Sequence, residues 1–256
     1  MSRTLFTGER LHEGDRLFAV DLARHRAAYA FARTRIGVGR VLDLGCGTGY
    51  GTAELTGAGA RIVGIDRIRP DDESRVGGAL FVRADLRGLP LAERSFDHVV
   101  SFQVIEHLED PNPYLEAIAR LLRPDGLAIL TTPNALLSDG VNPYHVHEYR
   151  SEELSRCLSE HFGEVEMLGV GMSEAVRRHM AERSRRIRRI MRLDPLRLRD
   201  RLPRGLLLRL FAAFAVLVRR RAETGEGTPE VGPDDFPIEP ARDDAIDWLA
   251  MCRKPR

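Results

Sequence analysis

Residues 41–51 read Val-Leu-Asp-Leu-Gly-Cys-Gly-Thr-Gly-Tyr-Gly, and this stretch decides the fold. Val41, Leu42 and Leu44 make a short apolar run, the pattern of a buried strand. Gly45, Gly47 and Gly49 follow at alternate positions, with Gly51 next in the same spacing. Glycines without a Cβ let the backbone turn sharply and approach a ligand. Asp43 plants a carboxylate at the strand's carboxyl end, where open α/β sheets bind their ligands. A strand running through such a turn into a helix points to a nucleotide-like cofactor.

The spacing separates the candidates. A dinucleotide fingerprint, G-x-G-x-x-G, would need a glycine where Tyr50 stands. No Gly-Lys-Ser/Thr follows, so the phosphate-binding P-loop is absent. A carboxylate two residues before the first glycine suits a cationic ligand better than a pyrophosphate. On these residues the chain resembles the class I S-adenosylmethionine-dependent methyltransferases, whose first motif reads much like Asp43-x-Gly45-x-Gly47-x-Gly49. Their cofactor carries an ammonium and a sulfonium, both positive. An NAD-dependent oxidoreductase is the competing enzyme reading, and the glycine spacing disfavours it.

The downstream order agrees. Arg61–Asp66 is a second apolar run ending in an acid, where a ribose-binding carboxylate belongs in a βαβ unit. Leu80–Leu86, with Asp85 at its end, predicts a third strand, and Phe96–Phe102 a fourth. A helix is predicted over Pro113–Leu122, stopped by Arg123-Pro124-Asp125-Gly126, then a fifth strand over Leu127–Thr132. Glu164–Val170 and Ala245–Cys252 alternate as strands. The resemblance places them as an antiparallel pair at the edge of a doubly wound, seven-stranded, mostly parallel Rossmann-like sheet. It also implies cofactor contacts at Asp43, Gly45, Cys46, Gly47, Thr48, Gly49, Asp66, Arg67, Asp85, Leu86 and Gln103. Asp43 and the turn would hold the methionine end, Asp66 the ribose, and Asp85 with Leu86 the adenine.

Two loops could carry the chemistry at the acceptor. Gln103–His107 follows the fourth strand, and Asn142–Tyr149 follows the fifth. Both emerge at the same sheet edge and can converge. Ile105-Glu106-His107, Thr132-Pro133-Asn134 and His145-x-His147-Glu148-Tyr149 resemble ubiquinone-type and glycan- or natural-product O-methyltransferases, and also small-RNA 2′-O-methyltransferases. Metal-using members of these groups bind a divalent ion through Glu-x-x-Glu-His and a later histidine. Here Gln103 stands at the first glutamate position, which leaves Glu106, His107 and His145 as a three-ligand set. The alternative makes His107 the general base, oriented by Glu106. A third reading has these side chains capping helix and backbone.

The N-terminal segment, Gly8-Glu9-Arg10 and His25–Ala32, is similar to the opening helix of the glycan-associated group. An arginine usually precedes the tyrosine there, but this chain has Ala28 before Tyr29. The resemblance then leaves Arg26 or Tyr29 for the cofactor carboxylate. The chain divides into a cap helix in residues 1–36, a core of 37–172 and 244–256, and an insertion over 173–243.

Charge singles out that insertion. Residues 173–221 hold sixteen arginines and four acids, a net of +12 in a chain whose total is +1. The remainder is therefore −11. Arginines interleave with Ile187, Ile190 and Met191, and Arg204 and Arg219–Arg221 frame the apolar run Leu206–Val218. Such segments fit an anionic membrane surface or a helical lid. Aromatic residues for stacking nucleic acid are scarce, so nucleic acid is ranked last as a partner. The tail Thr224–Asp243 is rich in Pro, Gly and acid and is predicted to be a loose loop. Three scattered cysteines give no disulfide framework. With no apolar N-terminal core and no run long enough to span a bilayer, a cytoplasmic protein is expected, peripheral at most to the inner membrane face. The expected activity is methyl transfer to a hydroxyl of a small molecule, glycan or lipid-linked acceptor. A cofactor-binding membrane scaffold is the non-enzyme alternative.

Overall fold

The computed structural model describes residues 18–56, 60–68, 70, 78–86, 88–138, 142–191 and 230–256. Eight strands form one sheet in the order β3-β2-β1-β4-β5-β8-β6-β7. They are β1 (Gly39–Leu44), β2 (Ala60–Asp66), β3 (Leu80–Arg83), β4 (Phe96–Phe102), β5 (Leu122–Pro133), β6 (Phe162–Val170), β7 (Ile238–Pro240) and β8 (Asp247–Pro255). The first five run parallel, and β8 inserts antiparallel between β5 and β6. The strand order reverses between β1 and β4, so a ligand crevice opens at their carboxyl ends.

Alternation along the strands sends side chains to two cores. Leu42 and Leu44 face one side, with α3 (Asn112–Leu121) and α4 (Ser151–Ser159) packed over it through Leu115, Ile118, Leu154 and Leu158. Val41 faces the other, beneath α1 (Ala19–Arg35) and α2 (Tyr50–Glu54), and Val176 of α5 (Glu174–Met191) joins this side. The sheet is thus a layer between helices, the arrangement expected of a doubly wound fold. In α1 the inward residues include Ala23, Ala27, Ala28 and Ala32. These small side chains favour helix and let its backbone lie close to the sheet. Tyr29 is the largest of the buried side chains on α1, and its hydroxyl reaches the site.

The structure corrects four expectations. The sheet has eight strands, because β7 pairs antiparallel with β6 at Leu168–Val170. That strand and a 3-10 turn at Pro233–Asp235 stand within the predicted loose loop. The third strand stops at Arg83, short of Asp85, because its neighbour β2 ends at Asp66, the register partner of Arg83. The fifth strand starts at Leu122, as α3 ends one residue before the predicted Leu122. Its pairing with β4 shifts between Phe96 and His98, and the resulting bulge takes up Arg123–Gly126. Residues 1–17 and 192–229 lie outside the described residues, including Gly8-Glu9-Arg10 and the run Leu206–Val218. Among the described residues no helix is long and apolar enough to cross a membrane.

Candidate active site

The glycine turn closes against β2. Gly45 and Cys46 both donate their N–H to the Ile65 carbonyl, at 2.8 and 3.1 Å. Gly47 adopts φ +56°, a left-handed conformation that suits glycine, and an added Cβ there would meet nothing within 4 Å. Its N–H donates to Asp66 Oδ2 at 3.0 Å, while the Ile68 N–H donates to Asp66 Oδ1 at 3.0 Å. The carboxylate at the end of β2 is therefore held against the turn, beside open space.

Asp43 lies under the turn and is 1% exposed. Tyr29 donates its hydroxyl to both oxygens, at 3.3 and 3.2 Å, and Thr52 donates to Oδ2 at 2.6 Å. Burial pushes the Asp43 carboxyl up to about 7, against the pull of the Thr52 and Tyr29 hydrogen bonds. Asp43 thus braces the turn from inside. Gly51 explains the fourth glycine of the run. An added Cβ there would sit 2.0 Å from the Tyr29 ring, so only glycine lets that ring lie on α2.

The remaining predicted cofactor residues are spread along the crevice. Cys46 and Thr48 are buried within the turn. Arg67 is exposed just past β2, and its carbonyl accepts from Arg83 Nε at 2.8 Å. Asp85 is exposed beyond β3, while Leu86 is half-buried against the core. Gln103 follows β4 in a left-handed conformation, φ +56°, with its N–H on the Thr131 carbonyl at 2.9 Å.

Arg26 and Tyr29 are committed elsewhere than the expected cofactor carboxylate. Arg26 Nε lies 2.6 Å from Glu54 Oε1 on α2, and Tyr29 bonds Asp43. The helix instead turns Arg24 toward the sheet's carboxyl end, a residue that sequence reasoning passed over.

The two acceptor-side loops do converge. Val146 and His147 donate their N–H groups to the Glu106 carbonyl, at 2.7 and 3.2 Å, which clamps the later loop onto the earlier one. Side-chain ligand atoms of Glu106, His107 and His145 then lie within 4.8 Å of one another. Glu106 is fully buried, with Oε2 accepting from Thr132 at 3.0 Å. Its Oε1 has no hydrogen-bond partner among the described residues. Burial pushes the Glu106 carboxyl up, eased by the nearby His107 and His145. His107 Nδ1 lies 2.9 Å from the Tyr144 carbonyl, and a carbonyl only accepts, so Nδ1 carries the proton. The lone pair of neutral His107 is then on Nε2. His145 Nδ1 meets Glu148 Oε1 at 2.6 Å. The two rings stand edge to face, 5.2 Å apart. His147 is directed away, onto Glu153 at 2.7 Å and the Tyr149 ring. The His145-x-x-Glu148 spacing was the available sign of an anchored imidazole, whereas Tyr144 acts through its backbone and left none.

Known proteins resemble this chain. A methyltransferase domain family matches residues 42–130, from β1 into β5. A "probable S-adenosylmethionine-dependent methyltransferase" of Mycolicibacterium smegmatis is 35% identical over 190 residues, covering 68% of this chain and 72% of that protein. The chain belongs to the S-adenosylmethionine-dependent methyltransferases. A ubiquinone biosynthesis O-methyltransferase of Xanthomonas oryzae pv. oryzae is 36% identical over 118 residues, 43% of this methyltransferase and 49% of its relative. Among solved structures, a methyltransferase of Thermotoga maritima described as a possible histamine N-methyltransferase shares the fold. Its TM-score is 0.58 at 14% identity, over 93% of both chains.

The residues of this methyltransferase fit the family cofactor. The left-handed turn leaves open space above Gly47, and Asp66 stands fixed at its rim.

Proposed function

We propose that this methyltransferase acts on a hydroxyl oxygen of a small-molecule, glycan or lipid-linked acceptor. The observation that carries the reading is the Glu106–His107–His145 cluster at the carboxyl ends of β4 and β5. An oxygen nucleophile must lose its proton during transfer, and such a cluster supplies a place for it. The O-methyltransferase from Xanthomonas, similar over part of the chain, supports the same choice.

S-adenosylmethionine supplies the methyl group and leaves as a neutral thioether. The Gly45–Gly49 turn would lie against it, and Asp66 would accept from its ribose hydroxyls. Arg67, Asp85, Leu86 and Gln103 border the crevice. His107 Nε2 takes the proton of the acceptor hydroxyl. The Tyr144 carbonyl fixes the tautomer that makes this nitrogen basic.

The same three side chains fit a divalent cation. Glu106 brings a buried oxygen without a hydrogen bond among the described residues, and both imidazoles are anchored through Nδ1, the support usual for metal-bound histidine. An ion there would supply Lewis-acid chemistry to the acceptor hydroxyl. The test is transfer of labelled methyl from S-adenosylmethionine to a panel of phenols, saccharides and amines. Alkali-stable ether products support the reading, and methylamine products alone overturn it. Activity toward short RNA fragments with a free terminal 2′-hydroxyl would favour the 2′-O-methyl alternative.

A further inference from the structure

Arg24 and Asp247 form a second buried polar pair at the same sheet edge. Asp247 begins β8, and its side chain is 3% exposed. Arg24 comes from α1, with a side chain 16% exposed. Arg24 Nη1 lies 3.4 Å from Asp247 Oδ1, and Nη2 lies 3.8 Å from Asp21 Oδ1. Both contacts are longer than a good hydrogen bond. Arg24 Nε and Asp247 Oδ1 are buried and have no hydrogen-bond partner among the described residues. Leaving a charged group buried without hydrogen bonds is costly, so each of these two atoms calls for a ligand atom.

The pair lies where the cofactor's end must be. Next to Arg24, the His25 ring meets the Tyr50 hydroxyl at 3.0 Å, and Tyr50 opens α2 directly after Gly49. Further along α1, Tyr29 reaches Asp43 under the turn. Arg24 lies within electrostatic reach of Asp247, Asp21 and Glu106. Gln103, past the end of β4, hydrogen-bonds Asp247. Asp247 thus touches the loop that leads to the acceptor cluster, and Arg24 is flanked on α1 by residues that reach the glycine turn.

Their charges specify the ligand. Arg183 Nη1 lies 3.6 Å from Asp21, so the group holds two guanidiniums and two carboxylates. A neutral zwitterion preserves that balance, and a lone anion or cation would not. One unsatisfied donor beside one unsatisfied acceptor matches a carboxylate and an ammonium on one carbon. We infer that Arg24 and Asp247 hold the amino-acid end of S-adenosylmethionine, with the carboxylate on Arg24 and the ammonium on Asp247. The assignment rests on the cofactor and is independent of the acceptor. It leaves Asp43 to brace the turn, and it replaces the arginine missing at Ala28 with one a helical turn earlier.

The experiment is calorimetric titration of the full chain with three probes. S-adenosylhomocysteine carries both charged groups, its decarboxylated analogue keeps only the ammonium, and 5′-methylthioadenosine has neither. Arg24→Gln is expected to weaken S-adenosylhomocysteine about 10- to 100-fold and bring it level with the decarboxylated analogue. Asp247→Asn is expected to weaken both amino-bearing probes. Methylthioadenosine should bind both variants as it binds the wild type. Equal weakening of all three probes would mean a packing role and overturn the inference. The wild type provides a check free of folding effects, since equal affinity for S-adenosylhomocysteine and its decarboxylated analogue also overturns it. Binding of none of the three would instead remove the cofactor assignment itself.

Discussion

The Tyr29 hydroxyl hydrogen-bonds both carboxylate oxygens of Asp43, joining the N-terminal helix to the floor of the cofactor turn. The ring above it packs edge to face on Phe102, 4.7 Å away, and rests on Gly51. Tyr29→Phe keeps that packing and removes the donor. Asp43 then stays buried with Thr52 alone. The variant is expected to lose about 1–3 kcal/mol of stability, the usual cost of a buried acceptor left short of a partner. Urea denaturation measures the loss. Gly51→Ala acts on the same contact by overlap, and is expected to cost about 1–3 kcal/mol while weakening S-adenosylhomocysteine binding.

Asp43 also predicts a pH dependence. Its folded-state pKa is raised from 3.8 to about 7, mainly by burial. Between these values the folded chain holds a proton that the unfolded chain has released. Stability from this group is therefore present below about pH 4 and lost as pH rises toward 7. Asp43→Asn cannot titrate. Relative to the wild type it should gain stability as pH rises from 4.5 to 7.5, by an amount on the order of 2–4 kcal/mol. Denaturation of both proteins across that range checks it, and parallel curves would refute it.

How much of this was legible in the chain follows from how local each feature is. The strand at Val41–Leu44, its glycine turn and the acid at Asp66 are written in contiguous residues, and the structure places them as read. The convergence of Glu106 with His145 followed from two loops leaving one sheet edge, a consequence of topology. Asp85 was misjudged as a strand end because nothing in its own segment shows that β2 stops at Asp66. The strand Ile238–Pro240 exists by pairing with β6, and its Pro-rich composition argues against it locally. Arg24 and Asp247 come from opposite ends of the chain, and neither has a motif. Only the sheet order brings them together.

Asp66 carries a double duty that one substitution can separate. Its Oδ2 holds the Gly47 N–H and its Oδ1 the Ile68 N–H, so the carboxylate shapes the turn as well as standing where the proposed cofactor's ribose would be. Asp66→Ala removes both and is expected to weaken S-adenosylhomocysteine at least 10-fold. Asp66→Asn keeps one acceptor oxygen and should retain part of the affinity. Calorimetry with S-adenosylhomocysteine against its 2′-deoxyribose analogue gives the decisive comparison. The wild type should discriminate between them, and Asp66→Ala should not.

The acceptor-side cluster predicts linked losses of ion binding and turnover. Glu106 is buried with a carboxylate oxygen lacking a hydrogen bond among the described residues, so Glu106→Gln keeps its shape and its Thr132 contact while removing the charge. If the cluster holds an ion, Mn2+ titration followed by electron paramagnetic resonance should show one site in the wild type. Glu106→Gln and His107→Ala should lose it, and chelator should abolish methyl transfer without changing S-adenosylhomocysteine affinity. If His107 acts without an ion, chelator has no effect. His107→Ala then lowers the methyl-transfer rate by about 10²- to 10⁴-fold, the range of a general base, and Mn2+ leaves every variant unchanged. Full activity in both His107→Ala and Glu106→Gln would remove the cluster from the chemistry altogether.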